Sequence, residues 1–511
     1  MNRYDVIIVG AGLGGLTAGA KLARDGKKVI LIEQHNIVGG CSTHFARKRT
    51  MDFEVGLHEI NGVYEPRKQA MFKDTDVWDR VEFVRVPEFY RVIKGNDLDV
   101  VVPDNIEGAK ASLKAAFPNE HEAINTYFKD ITTIRTQINR YRWGSAKKLL
   151  TIPFSPFLYS KLLKYRKSTV GEYLDNLTNN EYLKIAIIAN IGYYSEDPYN
   201  LNFVYFASGQ GSYMGDGGWF VKNGSQKLSD AFADVITENG GDILLKHMVN
   251  EIIVENGKAI GVRFIRKNRP EAKEQVVYGD YIIANASMPM VINKLIPSLQ
   301  DSPVRKQLNK LEPGCSLMTI YLSFKEPISK YVNGHYSTFV YDSQLESIKE
   351  FGELEKSGDY YRKGFVFVNY HSFDSGMNSD SSYTGVICGV DYLKNWDCLS
   401  KEDYKAKKQK VISIYTERLN KQFPGIADHI EYAEMSTPKT IQKYTMNDYG
   451  TVYGYAQTRN QSLTNKAKKY DLGIDNLYFA SAWVFSGGFS AAMSTGYSCA
   501  KAVLRKMEMN S

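Results

Sequence analysis

Gly10-Ala-Gly12-Leu-Gly14-Gly15 lies between an apolar run, Tyr4-Asp-Val-Ile-Ile-Val9, and a stretch with helical character, Leu13–Arg24. Gly10 permits a tight turn. Gly12 leaves room for a pyrophosphate to reach backbone N–H groups, and Gly15 lets the helix lie close on the strand. The helix aims the positive end of its dipole at that anion. Gly26 ends the helix, residues 28–32 read as a second strand, and Glu33 closes it where a carboxylate accepts hydrogen bonds from ribose hydroxyls. A glycine-rich turn without a ligand would not need strand, turn, helix, strand and acid all in register. A dinucleotide is therefore expected. Gly39-Gly40, six and seven residues beyond Glu33, favours FAD over a nicotinamide cofactor alone. An extended flavin dinucleotide must pass over that loop, and a second close-approach glycine pair suits it.

A flavin carries its own redox chemistry, so the protein's contribution is binding, orientation and a proton. His44 and His58 follow the second glycine pair and are the candidate proton donors or acceptors. The plainer reading of each is a hydrogen bond to backbone or flavin oxygen. Tyr444 and Tyr453 are candidates for the ring face, with core packing as their plainer role. Cys41 reads as a small residue beside the pyrophosphate rather than a redox thiol. No HExxH or other metal cluster and no nucleophile elbow is present, so no metal is expected.

These residues must be held by more than one core, since the chain has 511 residues. Composition is globular, with 43% apolar and 24% charged residues and a net charge of +7. Five cysteines, an odd number without a CxxC pair, exclude a disulfide framework and point to a reducing, cytoplasmic compartment. No apolar run reaches the length of a membrane span, and the glycine-broken stretch from Val6 to Ala23 reads as strand–turn–helix rather than a signal peptide.

Glu33-Gln-His35, Gly39-Gly-Cys-Ser-Thr-His44 and Phe53-Glu-Val-Gly-Leu-His58 together resemble the start of the retinol saturase and carotenoid isomerase branch of the phytoene desaturase superfamily. The arrangement is similar to the flavin amine oxidase fold too. Gly224-Ser-Gln-Lys-Leu228 before a helix at 229–239, strands at 240–245 and 249–254, a hairpin return at 257–263 and a strand at 280–285 resemble the family's second block. Asn476-Leu-Tyr-Phe-Ala480, Ser486-Gly-Gly-Phe489 and a helix through Leu504 resemble its flavin-closing segment. The resemblance implies an α/β fold in which a Rossmann-like FAD-binding domain of glutathione reductase/amine oxidase type is interleaved with a mixed-sheet α+β substrate domain. The FAD-binding parts are expected at 1–67, 204–296 and 435–511, the substrate parts at 68–203 and 297–434. The same resemblance assigns Gln34, Gly40, Cys41, Ser42, Val249, Ala482 and Phe489 to the cofactor, beside Gly10, Gly12, Gly14, Gly15 and Glu33. Two positions depart from the pattern. Ser481-Ala482 stands where an acidic residue is common, and Cys41 stands where desaturases often carry Arg, which points toward the retinol saturase side.

The implied activity is FAD-dependent saturation, desaturation or isomerisation of C=C/CH–CH bonds in a hydrophobic polyene, isoprenoid or unsaturated lipid, by hydride exchange with flavin N5. A flavin-dependent amine oxidase, with Trp483 and Tyr453 contributing an aromatic cage, is the alternative. Residues 131–171 contain no Asp or Glu, nine basic residues and interleaved aromatics, a composition suited to peripheral contact with an anionic membrane. Nothing else resembles a nucleic-acid module, so no nucleic-acid partner is expected. Strands at 317–324, 364–369 and 385–390 and a charged helix at 402–422 are expected in the substrate domain.

Overall fold

The computed structural model describes residues 3–48, 51–56, 58–141, 155–267, 269, 271, 273–377, 383–461 and 472–510. Its first sheet grows from the run predicted to be buried on both faces. β1 (Arg3–Val9) sits between β2 (Val29–Ile32) and the strand Gln275–Ala284, parallel to both, with Val6 opposite Val29 on one side and Tyr281 on the other. Continuous burial of Val6 through Val9 follows from this double coverage. Asp242–Leu244 extends the sheet beyond β2. Lys258–Arg266 and His247–Glu255 continue it antiparallel on the other side, and Leu477–Phe479 joins Gln275–Ala284 in parallel.

α1 (Leu13–Arg24) packs between the sheet and two further helices, Ser225–Glu238 and the closing helix Phe489–Asn510. The crossing of α1 with the closing helix is close at Gly496, and Gly14 lies against the chain leaving the strand Leu477–Phe479. A Cβ on Gly14 would meet the Ala480 carbonyl oxygen at 2.0 Å, and one on Gly496 would meet the Gly14 carbonyl oxygen at 2.0 Å. The helix expected at 229–239 starts earlier, at Ser225. The reason is an acid from elsewhere in the chain: the buried Glu54 carboxylate accepts from the Ser225 N–H and Oγ, both at 2.7 Å, and so satisfies the helix N-terminus.

The second sheet also has seven strands, in the order Ile430–Ser436, Ser316–Phe324, Tyr383–Asp391, Phe365–Asn369, Ser337–Tyr341, Glu88–Lys94, Leu98–Pro103. It is mixed, because Ser337–Tyr341 runs parallel to Glu88–Lys94 while the other pairs are antiparallel. Strands from 68–203 and from 297–434 therefore lie in one sheet, and Ile430–Ser436 crosses residue 434. The helix Lys401–Gln422 covers one face through Val411, Ile412, Ile414, Tyr415 and Leu419. Both sheets match the α/β class read from the sequence.

Candidate functional site

One cavity of about 640 Å³ runs from the glycine turn to the second sheet. That volume is within the usual ~300–1,000 Å³ of a ligand site. At one end the Gly10–Gly15 turn is held from below by Asn285, whose Nδ2 donates to the carbonyls of Gly10 (3.1 Å) and Gly12 (3.2 Å). Asn285 has the identity the turn needs: a side-chain donor that satisfies carbonyls pointed away from the ligand. Gly39 and Gly40 close the turn from the other side. The Gly39 N–H donates to the Ala11 carbonyl at 2.8 Å, and Gly40 (φ 64°) approaches Gly12 so nearly that a Cβ would lie 3.3 Å from its Cα. Both turns need glycine because their backbones touch.

Glu33 is buried at the end of β2 and faces the cavity. One carboxylate oxygen accepts from the Ala11 N–H and the other from the His35 N–H, each at 2.7 Å. Each oxygen retains a lone pair for a hydroxyl ligand. Glu33→Gln must place an amide NH2 against one of these N–H groups. Dinucleotide affinity is expected to fall by roughly 1.5–3 kcal/mol, measurable by titrating the cofactor-free protein.

Of the residues assigned to the cofactor, Gly10, Gly12, Gly14, Glu33, Gln34, Gly40, Cys41, Ser42, Val249, Ala482 and Phe489 line the cavity. Gly15 does not. A Cβ there would meet the Gly10 carbonyl oxygen at 2.2 Å, so its glycine is demanded by helix-to-turn packing. Gln34 is positioned by Lys267, which donates to its Oε1 at 3.0 Å, and donates in turn to the Tyr444 carbonyl at 3.2 Å. Tyr444 packs edge-on against His35, which places it at the Glu33 end of the cavity. Cys41 is exposed on the cavity wall, and desolvation by the surrounding protein pushes its thiol pKa up, which disfavours the thiolate.

The N-terminus of the closing helix, from Gly487 through Ala492, reaches the same cavity. Two helix N-termini thus converge on it, that of α1 and that of the closing helix. Lys68 adds a side chain that sequence reasoning missed, because it lies in a short helix (Pro66–Asp74) of surface-like composition. Its Nζ donates to the Asn61 carbonyl and to Ser490 Oγ (2.9 Å), and desolvation lowers its pKa to about 8.

Beyond this point the walls become aromatic, with Tyr193, Tyr194, Tyr205, Tyr321, Phe339 and Tyr453 among them. His58 lies in this part. Burial lowers its pKa to about 4, so its ring is neutral across the physiological range. His44 does not line the cavity. It stands on the strand His44–Arg47 opposite Glu54, with Nδ1 directed toward Gly224. The neighbour of His58, Glu59, does line it, and desolvation raises its pKa to about 8. No spacing rule singles out this acid; only its enclosure does. Trp483, named for an aromatic cage, packs edge-on to Tyr455 and donates from Nε1 to Asn447 Oδ1 at 3.2 Å.

The model of the NAD(P)-binding Rossmann-like domain matches residues 8–75. The chain is 26% identical over 543 residues to the all-trans-retinol 13,14-reductase of Danio rerio, covering 98% of this chain and 86% of the relative. It is 25% identical over 519 residues to the chloroplastic prolycopene isomerase of Daucus carota, covering 98% and 80%. Among solved structures, cyclohexylamine oxidase from Brevibacterium oxydans is similar in fold, with a TM-score of 0.64 at 16% identity, 99% of this chain and 100% of that one being covered. The dinucleotide turn, the two-sheet architecture and relatives of two kinds converge: the chain is an enzyme with a Rossmann-like domain, similar over almost its whole length to the retinol saturase and carotenoid isomerase-like branch of oxidoreductases.

Proposed function

We propose that this protein binds FAD and uses it to change the saturation or geometry of C=C bonds in a hydrophobic polyene, isoprenoid or unsaturated lipid. The observation that carries the reading is the continuity of one cavity from a dinucleotide cradle into an aromatic chamber. The cradle fits FAD. Gly12 presents open space apart from Asn285 Nδ2 at 3.0 Å, Gly488 has nothing within 4 Å of a would-be Cβ, and Glu33 offers a buried carboxylate. Glu33 and Gln34 would hold the adenosine end, the turns at 10–15 and 39–42 the pyrophosphate. The closing-helix N-terminus, with Ala482 and Phe489, would hold the flavin end. FAD, when bound, supplies two-electron hydride chemistry. The chain's own residues orient the ring, exclude water with the aromatic walls, and hold a proton beside it. Full-length likeness to a retinol reductase and a prolycopene isomerase supports the substrate class.

The test is to purify the protein, record its absorption spectrum, and mix the reduced holoenzyme anaerobically with all-trans-retinol or a poly-cis carotenoid. Reoxidation with a saturated product, or isomerised product without net reoxidation, supports the reading. A protein that cannot be reconstituted with FAD, or that is reduced by primary amines and ignores polyenes, overturns it.

We propose further that the protein meets its apolar substrate at a membrane surface. None of the described helices is long and apolar enough to cross a membrane. Residues 142–154 of the basic segment lie outside the described residues. Within the rest, Arg135 donates to Glu65 Oε1 at 3.1 Å, and Lys161 pairs with the buried Asp130 at 2.6 Å, so these two cations are committed inside the protein. Arg140, Lys164, Arg166 and Lys167 are exposed beside exposed Phe157 and Leu163, which supports a surface of basic and apolar side chains. Lys164→Glu/Arg166→Glu/Lys167→Glu is expected to lose about 1 kcal/mol per charge removed from an anionic surface. Vesicle flotation with and without phosphatidylserine reads this, and unchanged flotation overturns it. Lys161 must be left intact, because Glu there would face Asp130.

A further inference from the structure

Two enclosed acids on the cavity wall, Glu59 and Glu355, leave Oε2 without a hydrogen bond from any described residue; Glu355 sits beside Lys363 and Arg418, whereas Glu59 sits among tyrosine hydroxyls and other acids. The Tyr193 hydroxyl donates to Glu59 Oε1 at 3.2 Å and stands 3.5 Å from His58 Nδ1. The Tyr213 hydroxyl lies beside the carboxyl, yet its single proton is donated to the Phe89 carbonyl at 3.1 Å. Glu59 Oε2 is enclosed and takes no hydrogen bond from any described residue. A carboxylate would be costly in that position, whereas a carboxylic O–H is suited to it.

The segment that carries Glu59 is tied to the cofactor end of the cavity. Ser490 Oγ, in the first turn of the closing helix, donates to the Asn61 carbonyl at 3.2 Å, and Ile60–Asn61 is a strand paired with Gly218–Val221. Glu59 is two residues from that anchor, or roughly 7 Å along extended chain. On its other side the Tyr193 ring packs edge-on against Phe339 in the aromatic chamber. The acid thus stands where the cradle meets the chamber.

We propose that Glu59 is the proton donor for saturation of the substrate double bond, with Tyr193 and His58 as positioning residues. This rests on the hydride chemistry proposed above. One carbon of the C=C bond takes a hydride from reduced flavin, which is thereby oxidised by two electrons as the carbon is reduced. The adjacent carbon takes the proton of the Glu59 carboxyl. The O–H bond breaks, the π pair forms the new C–H bond, and the resulting carboxylate regains a proton from solvent. In the reverse direction the same carboxylate accepts the proton.

Burial is the main reason Glu59 keeps its acid form; Asp104, held by Arg85, and Glu88, beside His335, add to it, the hydroxyls of Tyr213 and Tyr193 oppose it, and Tyr194, Tyr336 and His58 are neutral neighbours. A raised carboxyl pKa means the acid form persists as pH rises to about 8 and is lost above it. Two measurements test this. The first is infrared titration of cofactor-free and FAD-loaded protein. A protonated-carboxyl C=O band present at pH 7, lost near pH 8 and absent from Glu59→Gln is expected; its absence from wild type at pH 7 overturns the proposal. The second is polyene reduction by the holoenzyme. Glu59→Gln is expected to slow turnover by roughly 10²- to 10⁴-fold and to abolish the alkaline limb, with FAD still bound. Tyr193→Phe, which retains the ring against Phe339, is expected to move that limb and the infrared midpoint together. An alkaline limb unchanged in Tyr193→Phe, or full activity in Glu59→Gln, overturns it. If wild type reduces no polyene while the infrared titration behaves as stated, the reading that fails is the substrate class rather than the acid.

Discussion

Gly12→Val is expected to yield a folded protein that no longer retains its dinucleotide, whereas Gly14→Val is expected not to fold. The two positions are two residues apart in a single glycine-rich segment, and they need glycine for different reasons. Gly12 has an ordinary extended backbone (φ −71°), and a Cβ there meets only Asn285 Nδ2, at 3.0 Å. Valine at this position therefore costs the empty cradle little but fills the place where the pyrophosphate must approach. A loss of roughly 2–3 kcal/mol in cofactor binding, about 30- to 200-fold in affinity, is the minimum expected from such crowding. Gly14 faces backbone instead: the Ala480 carbonyl oxygen at 2.0 Å and its carbon at 3.1 Å. No side-chain rotation relieves that overlap, so the chain leaving the strand Leu477–Phe479 must move off α1. The expected cost is at the upper end of the ~1–3 kcal/mol of core overpacking, or beyond it. Melting curves of the two cofactor-free variants, with cofactor titration of whichever folds, separate the cases. Equal melting temperatures for the two variants would contradict the assignment.

The largest stability effect outside the cradle is expected at Asp391. This carboxylate ends the strand Tyr383–Asp391 and is fully buried with Lys363, 3.4 Å away. It also accepts from Trp396 Nε1 at 2.6 Å, Asn395 Nδ2 and the Tyr392 N–H at 2.8 Å, and the Tyr360 hydroxyl at 3.0 Å. Asp391→Ala leaves a buried ammonium and several donors without their acceptor. A loss of about 3–5 kcal/mol is expected, since an uncompensated buried charge is worse than none. Asp391→Ala/Lys363→Met should recover part of that loss, because it removes the stranded charge. Denaturant unfolding of the single and double variants checks both statements. A double variant no more stable than the single one would show that the hydrogen bonds, rather than the charge, carry the effect.

The residues that bind by backbone were legible in advance because glycine spacing encodes them directly. Gly10, Gly12 and Gly40 mark places where chain or ligand must touch chain, and no other residue type serves there. The strands Ser316–Phe324 and Phe365–Asn369 and the helix Lys401–Gln422 were legible for a similar reason, since burial on one or both faces leaves a periodic trace. The start of the helix Ser225–Glu238 was not legible, because its cap is Glu54, 171 residues away in the chain. His44 and His58 looked equivalent in sequence, each following the glycine pair within one segment. Pairing of His44–Arg47 with Met51–Glu54 turns the first away from the cavity and leaves the second in it.

The sequence by itself determined the dinucleotide cradle, the α/β class and the likeness to the retinol saturase and carotenoid isomerase branch, since local steric need and burial period are written along the chain. Only the tertiary structure decided that Glu59, Tyr193 and His58 meet, that Lys68 reaches Ser490, and that Lys161 is spent on Asp130. The physical reason is that protonation and pairing depend on what surrounds a group. Those surroundings come from segments far apart in the chain, through contacts that leave no periodic signal in it.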